Sequence, residues 1–131
     1  MPYHILVVDD NDLNLSLIAK ILELESYRVT VAHNGMEAIQ AVIQCMPDLA
    51  ILDVMMPDVS GYELCHRLRE HPLNVTAPII MLTAMNSEME KAEALKAGAN
   101  DIWSKPFDME TFRRRVGGLL KAEPPDAQTK G

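Results

Sequence analysis

The sequence has few cysteines, an excess of acidic over basic residues and no long apolar segment, and each absence excludes a class of protein. Its 131 residues include two cysteines, Cys45 and Cys65, which lack a C-x-x-C partner and a histidine at metal-ligand spacing. A disulfide scaffold is therefore excluded, and both are interpreted as free thiols in a reducing compartment. A chain of this length buries enough surface to fold without a disulfide or metal.

The charge balance and the length of the apolar runs indicate which partners and which cellular compartment to expect. Twelve basic residues against 19 acidic ones leave a net charge of −7, which disfavours direct binding to a phosphate backbone. No apolar run approaches the roughly 20 residues that a membrane-spanning helix needs. The chain starts at Met1 and enters a strand pattern at once, without the segments of a signal peptide. A cytoplasmic protein with no membrane contact is expected.

Five short runs rich in Val, Ile and Leu alternate with amphipathic stretches, a pattern typical of a parallel sheet covered on both faces. Five such βα units predict an α/β, flavodoxin-like, doubly wound (βα)5 three-layer sandwich with strand order 2-1-3-4-5. The domain is expected over residues 1–121, followed by a polar tail or linker over 122–131. The predicted strands are Ile5–Val8, Arg28–Ala32, Leu49–Leu52, Pro78–Leu82 and Asp101–Ser104.

The stretches between the strands carry apolar residues at helical spacing. Asp12 is predicted to cap the first helix, and Ser87 with Glu90 to form a capping box at the start of the fourth. Gly98 should end that helix in the left-handed conformation. The expected buried stripes are Leu13, Leu17, Ile18, Ile21 and Leu22; Ile39, Val42, Ile43 and Met46; Leu64 and Leu68; Met89, Ala92 and Leu95; and Phe112, Val116, Leu119 and Leu120.

Polar or charged residues follow four of the five predicted strands at once, where a sheet of this kind binds ligands. Asp9 and Asp10 follow strand one, Asp53 strand three, Thr83 strand four and Lys105 strand five. One such residue is usually a turn or surface residue, but four groups at one edge indicate a site.

The chemistry of this set indicates a phosphoryl-transfer site that uses a hard cation. Ionising Asp9, Asp10 and Asp53 together costs a large free energy of repulsion unless a cation lies among them. Oxygen ligands such as these suit Mg²⁺. Lys105 and the Thr83 hydroxyl can offset or hydrogen-bond a phosphoryl group. A carboxylate is a competent nucleophile, so an acyl phosphate is expected on one of the three acids.

The sequence resembles the receiver domain of two-component response regulators over about residues 3 to 121. The order and spacing of four motifs carry the resemblance. They are Val7-Val8-Asp9-Asp10, the stretch from Asp53 through Met55-Met56-Pro57 to Gly61, Leu82-Thr83-Ala84, and Lys105-Pro106-Phe107.

The resemblance implies residue roles that the spacing alone leaves open. Asp53 would be the phosphoacceptor. Asp10 and Asp53 would ligate Mg²⁺ directly, together with the backbone carbonyl of Met55, and Asp9 would act through water. Mn²⁺ is expected to substitute for Mg²⁺. Lys105 would pair with phosphoryl oxygens.

Partners and output also follow from the resemblance. A sensor histidine kinase or histidine phosphotransfer protein would supply the phosphoryl group, and the domain would assist its own phosphorylation and dephosphorylation without being an enzyme. Thr83 would report the change to a downstream effector protein or domain, with a phosphorylation-dependent homodimer as a further possibility. The positions of Thr83 and Lys105, at the base of helix 4, strand 5 and helix 5, predict that these three elements form the output surface. That surface offers Met85, Met89, Asp101, Ile102 and the Arg113, Arg114 and Arg115 run.

One position departs from the family pattern. The usual switch aromatic lies three residues before the lysine, which is Ile102 here. The aromatic of this strand is Trp103, one position on. Because neighbouring strand residues face opposite sides, Trp103 cannot replace that aromatic and is expected in the core.

Three other functions share parts of this pattern. A haloacid-dehalogenase-type enzyme needs a second Asp two residues after the first, where this chain has Met55. An FMN carrier needs a phosphate-binding loop after strand one, where Asp9 and Asp10 would repel phosphate. A pseudo-receiver would have an incomplete site, whereas every expected position is filled here.

Overall fold

The five apolar runs pair side by side into one parallel sheet. The computed structural model describes residues 2–121, and the tail predicted over 122–131 lies outside this range. The strand order is β2-β1-β3-β4-β5, and five helices alternate with the strands, which confirms the predicted flavodoxin-like architecture. The strands are β1 (His4–Val8), β2 (Arg28–Ala32), β3 (Leu49–Asp53), β4 (Ile79–Thr83) and β5 (Asp101–Ser104).

Two strands end later than predicted, and both additions concern the candidate site. β3 includes Asp53, which pairs with Leu82, and β4 includes Thr83, which pairs with Ser104. The parallel pairing thus continues one residue past the apolar runs. The backbones of Asp53 and Thr83 are therefore held by the sheet rather than by a loop.

The helices begin where short polar side chains accept hydrogen bonds from the first helical turn. The N-caps of the first four helices are Asn11, Asn34, Ser60 and Ser87, and each accepts from the N–H three residues on. The predicted cap at Asp12 is wrong: Asn11 caps and Asp12 is the first helical residue. The helices are α1 (Asp12–Glu23), α2 (Gly35–Gln44), α3 (Gly61–Arg69), α4 (Glu88–Ala97) and α5 (Met109–Lys121).

Alternation along the strands divides the core into two layers. On β1, Leu6 and Val8 join one layer, whereas Ile5 and Val7 join the other. The first layer is completed by buried residues of α2, α3 and α4, and the second by those of α1 and α5. Within residues 2–121, no helix has the length and hydropathy required to cross a bilayer.

Two predicted stripes are partly wrong because the buried face of each helix is rotated. In α1, Leu15 lies in the core beside Ile18, whereas Leu13 and Leu17 are exposed. The i, i+3 and i+7 spacing from Leu15 through Ile18 to Leu22 defines the face that meets the sheet. Of the stripe predicted for α2, Ile43 is exposed, and so is Met46, which follows the C-terminal end of the helix.

α4 differs from the other helices because Ala94 is its single fully buried side chain, with Ala97 partly buried against the same layer. The expected stripe of Met89, Ala92 and Leu95 is exposed, and Ala94 is the buried residue of the helix. A methyl group supplies little buried area, so apolar packing holds α4 weakly. The left-handed C-cap predicted at Gly98 is confirmed, with φ 104°.

Arg69 compensates at the C-terminal end of α4. Its Nε donates to the carbonyl of Gly98 at 2.9 Å, and Nη1 donates to the carbonyls of Val75 and Ala77 at 2.9 and 2.6 Å. Nη2 donates to the side chain of Asn100 at 2.9 Å. One guanidinium thus joins the end of α3, the segment before β4 and the end of α4.

We expect Arg69→Lys to lower the free energy of unfolding by about 2–3 kcal/mol, because an ammonium cannot reproduce the planar fork of donors. Arg67→Lys is the matched control, since Arg67 makes an exposed ion pair with Glu63 on the same helix. The control should change stability by less than about 0.5 kcal/mol. Urea unfolding measures both, and equal effects would contradict a joining role for Arg69.

Candidate functional site

Three carboxylates meet at the carboxyl edge of the two central strands. Asp9 follows β1 directly, and Asp53 is the last residue of the adjacent β3. Asp9, Asp10 and Asp53 each offer an oxygen, and these three atoms lie within 4.8 Å of one another. Asp9 and Asp53 are buried, whereas Asp10 is exposed. The predicted acidic cluster is therefore present, open to solvent on the side of Asp10.

Local hydrogen bonds orient Asp9. Its Oδ1 accepts from the backbone N–H of Asn11 at 3.0 Å, and its Oδ2 lies 3.4 Å from the Asn14 side-chain amide, which donates. Its own N–H donates to the carbonyl of Ala32 at 3.1 Å. Asp9 thus faces both the cluster and the start of α1, so part of its hydrogen-bonding capacity serves the fold.

Lys105 provides the positive charge of the site. Its Nζ donates to Asp53 Oδ1 at 2.8 Å and lies 4.0 Å from Asp9 Oδ2. Its backbone N–H donates to the carbonyl of Thr83 at 2.7 Å, which holds the residue at the end of β5. The peptide bond between Lys105 and Pro106 is cis.

The pKa of the Asp53 carboxyl is raised above its ordinary value of 3.8, chiefly because burial disfavours the charged form. The hydrogen bond from Lys105 lowers it, and the charges of Asp9 and Asp10 raise it again. The contacts with Lys105 therefore do not offset the cost of burying this carboxylate. A bound cation would favour the ionised carboxylate, which is the nucleophilic form.

Gly61, at the start of α3, allows the backbone to approach Asp53 closely. A Cβ at this position would overlap the carbonyl oxygen of Asp53 and the methyl group of Met81. The N–H of Gly61 donates to the carbonyl of Val54 at 2.8 Å. Gly61 ends the motif that begins at Asp53, but it was not among the predicted site residues.

The loop between β3 and α3 is tied to α2 by Asp58. Its carboxylate accepts from the N–H groups of Gly35 at 3.1 Å and Met36 at 3.3 Å, where the helix begins. These bonds, led by that from Gly35, lower the pKa of Asp58. The same loop carries Met55, whose side chain is exposed. Sequence reasoning missed this bridge because the two segments are far apart in the chain.

Thr83 is buried at the same edge, but its hydroxyl is hydrogen-bonded to groups outside the cluster of Asp9, Asp10 and Asp53. Thr83 Oγ1 donates to Glu90 Oε1 of α4 at 2.9 Å and accepts from the N–H of Met85 at 3.1 Å. Glu90 was expected to complete a capping box with Ser87. Half of that box forms, since the Glu90 N–H donates to Ser87 Oγ at 3.2 Å, but the Glu90 carboxylate contacts Thr83.

Ile102 and Trp103 lie on opposite sides of the sheet, as strand alternation predicts. Trp103 is buried against Phe112 in an edge-to-face arrangement, and the guanidinium of Arg115 lies 5.2 Å from the centre of its ring. Trp103 Nε1 donates to Asp101 Oδ2 at 3.2 Å. Ile102 is 2% exposed, so its assignment to the output surface is wrong.

Sequence and structural comparisons identify the family of this fold. The family model of the response regulator receiver domain matches residues 5–117. The transcriptional regulatory protein TrcR of Mycobacterium tuberculosis is 40% identical over 120 residues, 92% of this chain and 46% of that protein. The chain spans about half the length of such curated relatives.

Solved receiver structures superpose closely. The chemotaxis protein CheY4 of Vibrio cholerae is 30% identical with a TM-score of 0.87, covering 92% of this chain and 100% of that one. The receiver domain of response regulator 1452 from Francisella is 34% identical with a TM-score of 0.82, covering 91% and 97%. With the family match over most of the chain, these likenesses assign it to the response regulator receiver domains of two-component signalling systems.

Proposed function

We propose that residues 1–121 form a receiver domain that accepts a phosphoryl group on Asp53 from a sensor histidine kinase or a histidine phosphotransfer protein. The observation that carries the proposal is the convergence of three carboxylate oxygens within 4.8 Å, with Lys105 Nζ 2.8 Å from Asp53. The cytoplasm, where such partners work, is the proposed location.

The residues present fit a divalent cation, and Mg²⁺ is proposed, with Mn²⁺ as a substitute. Asp10, Asp53 and the backbone carbonyl of Met55 would hold the ion directly, and Asp9 through water. An all-oxygen donor set of this kind suits a hard cation. When bound, the cation supplies charge that stabilises the transferring phosphoryl group. Asp10 is the exposed member of the set, which suits a ligand facing incoming donors.

Asp53 acts as the nucleophile in the proposed reaction. A carboxylate oxygen attacks the phosphorus atom, a phosphorus–oxygen bond forms and the phosphorus–nitrogen bond of the donor histidine breaks. Hydrolysis later returns the carboxylate and inorganic phosphate. Lys105 stabilises negative charge beside the reacting oxygen. The domain thus assists its own phosphorylation and dephosphorylation but is a signalling domain rather than an enzyme acting on an external substrate.

The signal is proposed to leave through α4, β5 and α5 and to change protein–protein contacts. Met89 and Leu95 are exposed on α4, and Asp101 and Arg115 lie beside Trp103. This surface would bind a downstream effector protein or domain, or a second copy of the chain in a phosphorylation-dependent homodimer. Direct nucleic-acid binding is not proposed, because the chain carries a net charge of −7.

Acetyl phosphate with Mg²⁺ should add one phosphoryl group to the protein, detected by intact-mass spectrometry. Asp53→Asn should abolish this addition, and so should omission of the cation. Asp12→Asn is the matched control, since Asp12 is an exposed carboxylate at the same edge and pairs with His33. The control should be phosphorylated normally. Equal phosphorylation of Asp53→Asn, or none of the wild type, would sink the assignment.

Burial of the charged Asp53 carboxylate, with Asp9 and Asp10 beside it, should reduce stability when no cation is bound. We expect Asp53→Asn to raise the free energy of unfolding by about 1 kcal/mol in EDTA at neutral pH. Because the folded-state pKa of Asp53 is raised, this advantage should shrink as the pH falls through that pKa toward 3.8, where the wild-type carboxyl becomes neutral. Thermal unfolding measures both effects.

Thermal unfolding measured with and without Mg²⁺ tests the proposed metal ligands. Mg²⁺ should stabilise the wild type, and Asp10→Asn should reduce that stabilisation more than Asp9→Asn does, if Asp10 is a direct ligand. A larger loss with Asp9→Asn would reverse the two roles.

The single tryptophan reports on the output surface. Trp103 lies between Asp101 and Arg115, so beryllofluoride, a mimic of the phosphoryl group, should change its fluorescence and slow or speed amide exchange in α4, β5 and α5. Asp53→Asn serves as the control that should show neither change. Exchange effects confined to α1 and α2 would place the output elsewhere.

A further inference from the structure

We propose that the Glu90 carboxylate restrains the Thr83 hydroxyl in the unphosphorylated protein and must release it when Asp53 is phosphorylated. The inference rests on the proposed function and adds a positioning residue that acts against it. Thr83 is 3% exposed, and its Oγ1 lies 2.9 Å from Glu90 Oε1. A carboxylate is an acceptor only, so the hydroxyl donates.

The Thr83 hydroxyl has a single proton. Two acceptors lie within reach of it, Glu90 Oε1 at 2.9 Å and the carbonyl of Met85 at 3.2 Å. The shorter bond is to the charged acceptor and is the stronger of the two. The lone pairs of the hydroxyl accept from the Met85 N–H at 3.1 Å. The proton that a phosphoryl oxygen on Asp53 would require is therefore already used.

A phosphoryl group and the Glu90 carboxylate compete for that proton because both are anions that only accept. Their negative charges also repel, so holding both around one hydroxyl is unfavourable. Phosphorylation must then displace Glu90, and the free energy of the Thr83–Glu90 hydrogen bond opposes it. By linkage, removing the bond raises the affinity of the site for a phosphoryl mimic by the same factor.

The place of Glu90 on α4 determines what its release does. Glu90 is the third residue of the helix. The Ser87 hydroxyl caps the helix by accepting from the Glu90 backbone N–H, so the Glu90 side chain takes no part in the cap. Ala94 is the buried residue of α4, so the Thr83–Glu90 hydrogen bond is a principal attachment of its N-terminal turn. The C-terminal end is held by Arg69, which donates to the Gly98 carbonyl at 2.9 Å. Loss of the bond frees one end of α4 while the other stays fixed.

Beryllofluoride titration in excess Mg²⁺, followed by Trp103 fluorescence or amide chemical shifts, tests the inference. Glu90→Ala should bind the mimic about tenfold more tightly than the wild type, since a hydrogen bond to a charged group has been removed from the unbound state. Glu88→Ala is the matched control: Glu88 is an exposed acid in the same first turn. It should change the affinity by less than about twofold.

A purely structural role for Glu90 is distinguished in two ways. Fraying of α4 would lower both thermal stability and affinity for the mimic, whereas the proposed restraint predicts lower stability with higher affinity. In a double-mutant cycle, Glu90→Ala should give no gain in a Thr83→Val background, where the hydroxyl is absent. No gain in Glu90→Ala alone, or a gain that persists without the hydroxyl, overturns the inference.

Failure of the underlying function gives a different result. A wild type that neither binds beryllofluoride with Mg²⁺ nor is phosphorylated by acetyl phosphate would refute the proposed function together with the restraint. A wild type that does both, with Glu90→Ala no tighter, refutes the restraint alone.

Discussion

The crowding of three carboxylates at the end of the two central strands is the constraint on which the rest of the site depends. Asp9 and Asp53 are buried there, and burial raises the pKa of the Asp53 carboxyl although Lys105 Nζ lies 2.8 Å away. Repulsion among three ionised carboxylates this close together would push a flexible loop apart. Here the sheet resists it, because Asp53 lies inside the β3 pairing and Asp9 donates its N–H to the carbonyl of Ala32.

The sequence predicted the fold, and it predicted which side chains meet at the carboxyl edge of the sheet, because both depend on local patterns. Apolar runs define the strands, and the residues after them meet at one edge wherever parallel strands end. What it could not predict are the side-chain contacts that join separate elements. Glu90 matched a capping box, yet its carboxylate bonds Thr83 across the turn, and Asp58 reaches the start of α2 over 23 positions. Side-chain direction decides such contacts, and spacing alone does not encode it.

The rotated helix faces have a related cause. A window of apolar residues is compatible with several buried faces, and the choice is made by the packing against the sheet. In α1 the sheet selects Leu15 and leaves Leu13 exposed. Strand alternation was the more reliable guide, because it has only two faces: it placed Ile102 and Trp103 correctly on opposite layers.

Because α4 buries only Ala94 and depends on polar bonds at its two ends, most of its outward positions are released from the demands of folding. Substitutions there change the surface that a partner meets while the core keeps its volume. A duplicated copy of such a gene can therefore acquire a new partner through exposed positions such as Met89 and Leu95, with the carboxylate cluster untouched. The weak packing of one helix therefore lets related domains diverge in the surface that selects a partner, so that each can avoid the partners of the others.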